Sequence, residues 1–261
     1  MSFLDHLLEL RRRILISAAT MFIMMVVSVC FFKPIWDFLL APVKTLNQNF
    51  MHDEELRQAA IKAGADPNHV VKMVSNDPLA VTIALCKICF WLGLVLSAPM
   101  LLYQLWGFVA PGLRANEKRA IQPVLFGGIF CFLLGAVLCY YLVFPISINF
   151  LVWLDLYLGL VPLYTADRFV NLLIMFMVIF GAMFEIPVVA AVFARLGLLK
   201  PEWLTKYWRI TVFGCFVAGA IISPSNDLIS YLIFSGCLLF LWGASVALAY
   251  LLYPRAKNNR A

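Results

Sequence analysis

Two carboxylates lie inside short basic stretches of the chain, where they could bind a basic ligand. Glu9 lies two residues before the arginines at 11–13, and Glu117 lies in a second basic stretch, residues 114–119. The neighbouring cations would hold each carboxylate ionised, and two carboxylates can accept bidentate hydrogen bonds from guanidinium groups. Glu9 also has the i,i+4 spacing of a local ion pair with Arg13, and Glu117 could pair with a neighbour on a surface turn. The pattern therefore predicts either a receptor for a basic peptide or two local ion pairs.

Two further charged residues, Glu185 and Lys87, fall inside long apolar stretches. An acid near the middle of a membrane helix costs about 2.5–3.5 kcal/mol on insertion scales, so Glu185 must face a partner or a cavity. It could be a hydrogen-bonded structural residue, a proton site or part of a polar cavity. Lys87 lies about two to three turns from the start of its apolar stretch, from where its side chain can snorkel to the membrane surface. Used together, the two residues would suit a proton-coupled small-solute transporter.

The sequence carries no signature of a cofactor, a metal site or a nucleic-acid interface. It has no P-loop, dinucleotide-binding fingerprint or zinc motif. The seven cysteines lie within or at the ends of apolar segments, and the CxxC formed by Cys86 and Cys89 has no histidine or third cysteine near it. Nucleic-acid binding would want a basic stripe with exposed aromatic residues, and the chain has none. Because no nucleophile–base pair stands out either, we predict that the protein is not an enzyme.

The elements that must position these charges are membrane helices. The chain of 261 residues is 64% hydrophobic and only 13% charged, which is too apolar for a soluble protein of this length. Its apolar residues come in blocks long enough to cross a hydrocarbon core, which takes about 20 residues of helix. We predict an all-α polytopic membrane protein with a single domain, residues 1–261. The six predicted spans are residues 14–32, 79–109, 121–144, 170–194, 210–222 and 228–252.

The basic residues predict the orientation of these spans. They concentrate in four groups, at residues 11–13, 114–119, 195–209 and 255–260. Loops rich in Lys and Arg stay in the cytoplasm, so six spans with both termini cytoplasmic satisfy the pattern at every loop. The first apolar block, of about 19 residues, exceeds the usual core of a signal peptide and predicts a retained anchor in the cytoplasmic (inner) membrane.

The hydrophilic segment 44–77 would then form an extracytoplasmic cap over the membrane domain. Its acids predict a surface helix from about residue 53 to 63, closed by Gly64. Asp66 and Pro67 have the pattern of a cap followed by the first residue of another short helix. About 34 residues bury too little surface to fold alone, so we do not expect a separate domain here.

Prolines predict where several helices end or bend. Pro34 and Pro42 predict breaks after the first span, and Pro145 predicts the end of the third, since proline cannot continue the hydrogen-bond ladder. The second span contains Pro99 and exceeds the length that a ~30 Å core requires, so it must tilt, bend or protrude. The fifth span, 210–222, provides roughly 20 Å of helix, which is too short for an average bilayer.

Short motifs are distributed along nearly the whole chain, and a known family has the same motifs in the same order. They are HLLELRRR (6–13), FLLAPV (38–43), LSAPMLLYQLWGFVAPGL (96–113), NEKR (116–119), VFPI (143–146), FGAMFEIPV (180–188) and the Ser-Pro turn at 223–224. The sequence resembles the TatC family, the core subunit of the twin-arginine protein translocase. Chance similarity between apolar helices does not produce this order and spacing.

The resemblance implies a receptor for the paired arginines of twin-arginine signal peptides at the cytoplasmic face. Glu9 and Glu117 match the two acids of that receptor, and Arg11 and Phe108 match functional positions beside them. The implied fold is a concave, glove-like bundle of six helices with two short final helices. The implied partners are signal peptides of folded cargo, single-span subunits of the TatA and TatB types, and the lipid membrane, in an oligomeric complex.

The resemblance extends to three further positions and fails at one. Glu185 matches the buried acid of the fourth span, Lys87 the family's lysine, and Pro42 the proline of the first outer loop. The family often has an aspartate directly after the prolines of its last outer turn, whereas here Asp227 comes one place later, which leaves its role open. A transporter using Glu185 and Lys87 remains the alternative function. It would be expected to show internal repeats and paired broken helices, which the hydrophobic pattern lacks.

Overall fold

The protein is described here by a computed structural model covering residues 3–52, 54–62, 64, 72–74, 78–109, 115–224 and 227–253. This part of the chain is mostly helical. Its helices are α1 Phe3–Cys30, α2 Phe32–Leu39, α3 Ala41–His52, α4 Glu54–Lys62, α5 Pro78–Val109, α6 Ala115–Leu138, α7 Phe144–Tyr157, α8 Ala166–Arg195, α9 Pro201–Lys206, α10 Trp208–Ile222 and α11 Leu228–Leu252. Two short strands are β1 Lys72–Val74 and β2 Leu163–Thr165.

Five helical stretches in the described part of the chain are long and apolar enough to cross a membrane. They are Leu7–Cys30, Leu85–Leu105, Phe126–Tyr157, Ala166–Arg195 and Leu228–Leu252. A sixth apolar helix, α10, is shorter. The predicted class, an all-α protein with several membrane helices, agrees with this architecture.

The first helices are separated at the predicted prolines. α1 ends at Cys30 and α2 begins at Phe32, so the predicted break next to Pro34 is confirmed. Pro34 is the third residue of α2, and Pro42 is the second residue of α3. In the first turn of a helix the N–H that proline lacks would have no intrahelical acceptor, so the residue costs no hydrogen bond there.

The prediction that Pro145 ends the third span is wrong. α6 continues through a wide π turn, Cys139–Val143, into α7, which extends to Tyr157. In this turn the N–H of Phe144 donates to the carbonyl of Cys139, five residues back. Pro145 is the second residue of α7, directly after this π turn, and the helix continues past it to Tyr157. The extra residue of the π turn lets one apolar helical stretch continue through a proline.

Of the last two helices only α10 is short. Its 15 residues give about 22 Å of helix, in agreement with the prediction from the length of the fifth apolar block. α11 has 25 residues and the predicted bounds, so the implication of two short final helices is wrong for α11. The apolar sequence after residue 228 contains no proline before residue 254, and the Asp227 side chain caps the helix by accepting from the Ser230 N–H at 2.7 Å.

The hydrophilic segment contains more regular structure than the sequence suggested. α3 extends to His52, α4 follows, and Gly64 lies just beyond α4 with a φ of +89°, as predicted for a residue that closes a helix. The short helix predicted at Asp66 and Pro67 falls outside the described residues. β1 pairs in parallel with β2, aligning Met73 with Tyr164, and no sequence pattern had indicated this pairing.

Tyr164 attaches the strand pair to the neighbouring helix. Its hydroxyl donates to Oδ2 of Asp155 in α7 at 2.8 Å. Burial raises the pKa of Tyr164, and the hydrogen bond to the carboxylate raises it further, so the phenol stays protonated and keeps donating. This bond fixes a strand of only three residues, which main-chain pairing alone would hold weakly.

The chain divides into two compact units, and each has its own aromatic core. One unit comprises residues 18–97 and 137–178. In it the ring of Phe144 meets those of Phe169 and Phe176 edge-on, at 5.2 and 5.7 Å between centroids. The other unit comprises residues 1–17, 98–136 and 179–261, and its core contains the edge-to-face pair Phe180–Phe234 at 4.7 Å. That the chain forms a single membrane domain stays a prediction.

Helices α6 and α8 approach closely at Gly135, which gives a stability prediction. A Cβ at Gly135 would lie 2.7 Å from the main-chain oxygen of Phe180 and 2.8 Å from the ring of Phe184. We expect Gly135→Ala to lower the free energy of unfolding by about 1–3 kcal/mol, because neither the backbone nor the packed ring can move away freely. The thermal midpoint of the purified chain in detergent would measure this.

The control substitution lies on the same helix. A Cβ at Gly127 would meet nothing within 4 Å, so Gly127→Ala should be neutral or stabilising by up to about 1 kcal/mol through helix propensity. Equal midpoints for the two variants would contradict a close approach of α6 and α8 at Gly135.

Candidate functional site

Glu9 and Arg13 form an ion pair across one turn of α1. Nη2 of Arg13 lies 2.6 Å from Oε1 of Glu9, and Nε donates to the same oxygen at 3.1 Å. The Glu9 side chain is 21% exposed and the Arg13 side chain 23%, so the pair lies between the surface and the interior. The local ion pair expected from the i,i+4 spacing is therefore present. It engages only one of the two carboxylate oxygens of Glu9.

Arg13 also joins α1 to α5. Its Nη1 donates to the side-chain oxygen of Gln104 at 3.3 Å and lies 3.5 Å from the Gln104 main-chain oxygen. Gln104 is only 8% exposed, so these longer hydrogen bonds lie away from solvent. A Cβ at Gly107, one turn further along α5, would overlap the guanidinium group of Arg13. Glycine at this position therefore makes room for the arginine.

The second carboxylate oxygen of Glu9 is the unusual feature of this cluster. Oε2 is buried and has no hydrogen-bond partner in the described part of the chain. A buried acceptor without a donor costs about 1–3 kcal/mol, and more when the group is charged. Arg13 holds the carboxylate in place through Oε1, while Oε2 is an acceptor that neighbouring side chains would have to uncover before a donor from outside this chain could reach it. A guanidinium or ammonium group would satisfy it best, because the bond would be charge-assisted.

The sequence pattern named Glu9 but missed the residues that hold it. Arg13 was predicted only as a local partner of Glu9, while Gln104 and Gly107 were parts of a motif without an assigned role. A glutamine in an apolar stretch, one turn before a glycine, could have indicated a polar contact with a neighbouring helix. The long-range partner itself, 91 residues away, cannot be identified from helical spacing.

The other predicted binding residues lie on α1, α5 and α6. Arg11 is exposed on α1. Phe108 lies in the last turn of α5, and Glu117 lies in the first turn of α6. The side chains of Phe108 and Glu117 lie outside the described residues, so the expected proximity of Glu9 and Glu117 stays a prediction.

Glu185 faces another helix, and the structure shows no hydrogen bond to its side chain from the described residues. Its carboxylate lies against α6 at Gly128, where a Cβ would be 3.0 Å from Oε2 and 3.5 Å from Oε1. Oε1 is buried and none of the described residues donates to it. Pro187, two residues on, is buried within α8 and cannot donate to the carbonyl of Met183. α8 thus carries two acceptors close together that lack a donor from the helix itself.

Lys87 and Pro42 lie in different surroundings. Lys87 is exposed on α5, as expected for a lysine that extends along an apolar surface. Pro42 is buried in the first turn of α3, and it lines a cavity of about 220 Å³ together with Tyr140, Tyr141 and Asn149. The Tyr140 hydroxyl donates to the Phe38 carbonyl at 2.6 Å, which joins the π turn to α2 beside this cavity. Among the described residues, no group of three His, Cys, Asp or Glu side chains could hold a metal ion.

Comparison with known proteins gives consistent matches over the full chain. The family model described as Sec-independent protein translocase protein (TatC) matches residues 5–237. The TatC protein of Koribacter versatilis is 30% identical over 263 residues, covering 100% of this chain and 89% of its own length. That of Campylobacter jejuni is 31% identical, covering 98% of this chain and 96% of its own. A crystal structure described as the twin arginine translocase receptor TatC superimposes with a TM-score of 0.74 and 30% identity, over 95% of this chain and 99% of that one.

The apolar helices and the family match together define a multi-pass membrane protein of a protein-export system. The chain belongs to the TatC family of Sec-independent protein translocase subunits. This confirms the resemblance inferred from the motifs. A protein translocase component has a transport role and not a catalytic one, and membership of this family does not favour a small-solute transporter.

Proposed function

We propose that this chain is the subunit of its translocase that recognises twin-arginine signal peptides at the cytoplasmic face and scaffolds export of the folded cargo. The buried Oε2 of Glu9 carries the proposal, because it is a carboxylate acceptor that lacks a donor among the described residues. The relative whose crystal structure superimposes on this chain is described as a receptor, which supports the same function.

In the proposed complex one arginine of the peptide donates to Glu9 and the other to Glu117. Arg13 fixes the orientation of Glu9 through Oε1, which leaves Oε2 as the acceptor for the peptide. Arg11 and Phe108, which match functional positions of the family, complete the proposed site. A planar guanidinium can bind a carboxylate through two parallel hydrogen bonds, whereas an ammonium acts as a point charge. The site would therefore prefer arginine to lysine.

This function requires an orientation, which we also propose. Six spans cross the cytoplasmic (inner) membrane with both termini in the cytoplasm, and residues 44–77 lie on the opposite side as a cap. With about 22 Å of helix, α10 would cross a locally thinned bilayer or lie sheltered by α11, against which it packs at Gly219 and Ser235. Single-span subunits of the TatA and TatB types would complete an oligomeric complex.

An export assay tests the proposed function. Membrane vesicles that lack their own TatC subunit would receive this chain with TatA- and TatB-type subunits, and a folded reporter would carry an Arg-Arg or a Lys-Lys signal peptide. We expect at least about tenfold more protected reporter with Arg-Arg, which corresponds to a difference of about 1.4 kcal/mol. Equal protection of the two reporters, or protection without the chain, would contradict the proposal.

A further inference from the structure

A basic and aromatic surface joins α8 to α10, in the unit that includes residues 179–261. Residues 195–209 contain four cations and a single acid, Glu202. Their three aromatic side chains are each about half exposed: Trp203 52%, Tyr207 52% and Trp208 51%. Like charges repel, so this surface would repel the arginines of a signal peptide and does not belong to the proposed receptor site.

Each of the three aromatic rings has a cation at its face. The distances from the cationic group to the ring centroid are 5.9 Å for Lys200 and Trp203, 5.8 Å for Lys206 and Tyr207, and 5.6 Å for Arg209 and Trp208. A cation is attracted to the negative face of a ring, so each pair holds a positive charge beside an apolar surface. Among the described residues, no carboxylate forms an ion pair with any of these three cations. Their charge therefore remains available to an anion.

The local fold holds this surface at the level where two apolar helices end. α8, which is long and apolar enough to cross a membrane, ends at Arg195, and Gly197 reverses the chain with a φ of +73°. α9 follows, with Pro201 buried, and it contacts both α10 and α11. α10 then begins at Trp208. Because the chain leaves α8 and enters α10 within 13 residues, α9 lies at the membrane surface that both helices reach.

We propose that residues 200–209 bind the headgroups of anionic phospholipids at this membrane surface. Trp and Tyr rings place their apolar bodies in the interfacial layer and their polar groups toward water. The cations at the faces of these rings then lie at the depth of the lipid phosphates, where basic residues are attracted to anionic headgroups. Leu198 and Ile210, which flank the surface, are also exposed and would contact the acyl chains. An acidic soluble segment would match the cations alone, whereas a lipid matches both the cations and these apolar side chains.

A photoreactive residue tests the proposal on the intact chain. Tyr207→p-benzoylphenylalanine keeps an aromatic side chain at the surface, and the chain would be reconstituted in vesicles with equal amounts of phosphatidylglycerol and phosphatidylcholine of the same acyl structure. Mass spectrometry would measure the adducts of each lipid. We expect at least about fivefold more phosphatidylglycerol adducts, since one basic residue near an anionic surface contributes about 1 kcal/mol. The same replacement at Tyr157, which stacks on Trp153 at the end of α7, should give about equal amounts of the two.

Matched substitutions separate the role of the cations from that of the rings. Lys200→Gln, Lys206→Gln and Arg209→Gln together should bring the lipid ratio at the photoreactive position close to one, while the total lipid adducts stay unchanged. The control, Lys33→Gln with Lys87→Gln, removes two exposed lysines from other helices and should leave the ratio unchanged. The proposal is wrong if the ratio is the same on α9 and α7, or if the triple substitution leaves it unaltered. It is also wrong if the photoreactive position captures a protein and no lipid in native membranes.

Discussion

Replacing Glu9 and Glu117 together by alanine is expected to lower the affinity for an Arg-Arg signal peptide by about two to four orders of magnitude. A hydrogen bond to a charged group contributes about 1.5–3 kcal/mol, so losing one at each acid removes about 3–6 kcal/mol of binding energy. Fluorescence anisotropy of a labelled signal peptide with the purified chain would measure the change. Each single substitution should give an intermediate loss, provided that the two acids bind different arginines.

The controls for this experiment separate binding from folding. Glu9→Ala also removes the partner of Arg13, leaving its guanidinium with Gln104 alone, so the thermal midpoint must be compared with that of the wild type. Glu9→Gln keeps the shape of the side chain and should weaken binding with a smaller effect on the midpoint. Glu202→Ala removes an exposed acid from α9 and should leave peptide affinity unchanged. Unchanged affinity of a folded Glu9→Ala, Glu117→Ala chain would refute the receptor site.

Local sequence patterns predicted the helices well, because the signals that start and stop them are local. The end of α4 before Gly64, the separation of α1 from α2 and the shortness of α10 each follow from a few neighbouring residues. The error at Pro145 has a local cause too. A proline does not always end a helix, and here a π turn directly precedes Pro145 while the helix continues to Tyr157.

What the sequence could not predict depends on contacts between distant segments. The pairing of β1 with β2 joins strands of three residues that are separated by about 90 positions, too short for an alternating pattern to be recognised. The contact of Arg13 with Gln104 and Gly107 is similar, since helical periodicity identifies a face but not the helix that it meets. The candidate site was therefore predicted as a set of residues, while the carboxylate oxygen that gives it a chemical role required the structure.

Glu185→Gln is expected to reduce export about tenfold, a barrier change of about 1.4 kcal/mol, while the amount of folded chain stays the same or rises. Oε1 of Glu185 is buried without a donor among the described residues, so Gln at this position breaks no described hydrogen bond. The carboxylate would be retained because its charge is needed during transport. The vesicle export assay measures the first quantity, and the thermal midpoint in detergent measures the second.

The alternative for Glu185 is a structural role, and a second substitution distinguishes the two. A residue needed as a hydrogen-bonding support would tolerate Gln, which keeps that capacity, but Glu185→Ala would lower the midpoint. A residue needed for its charge would make Gln and Ala equally defective in export, with neither lowering the midpoint. The contact of the carboxylate with the Gly128 backbone, where no side chain can donate, favours the second outcome. A chain with Glu185→Gln that exports normally, together with a chain with Glu185→Ala that unfolds early, would assign Glu185 to the structure of α8 and not to transport.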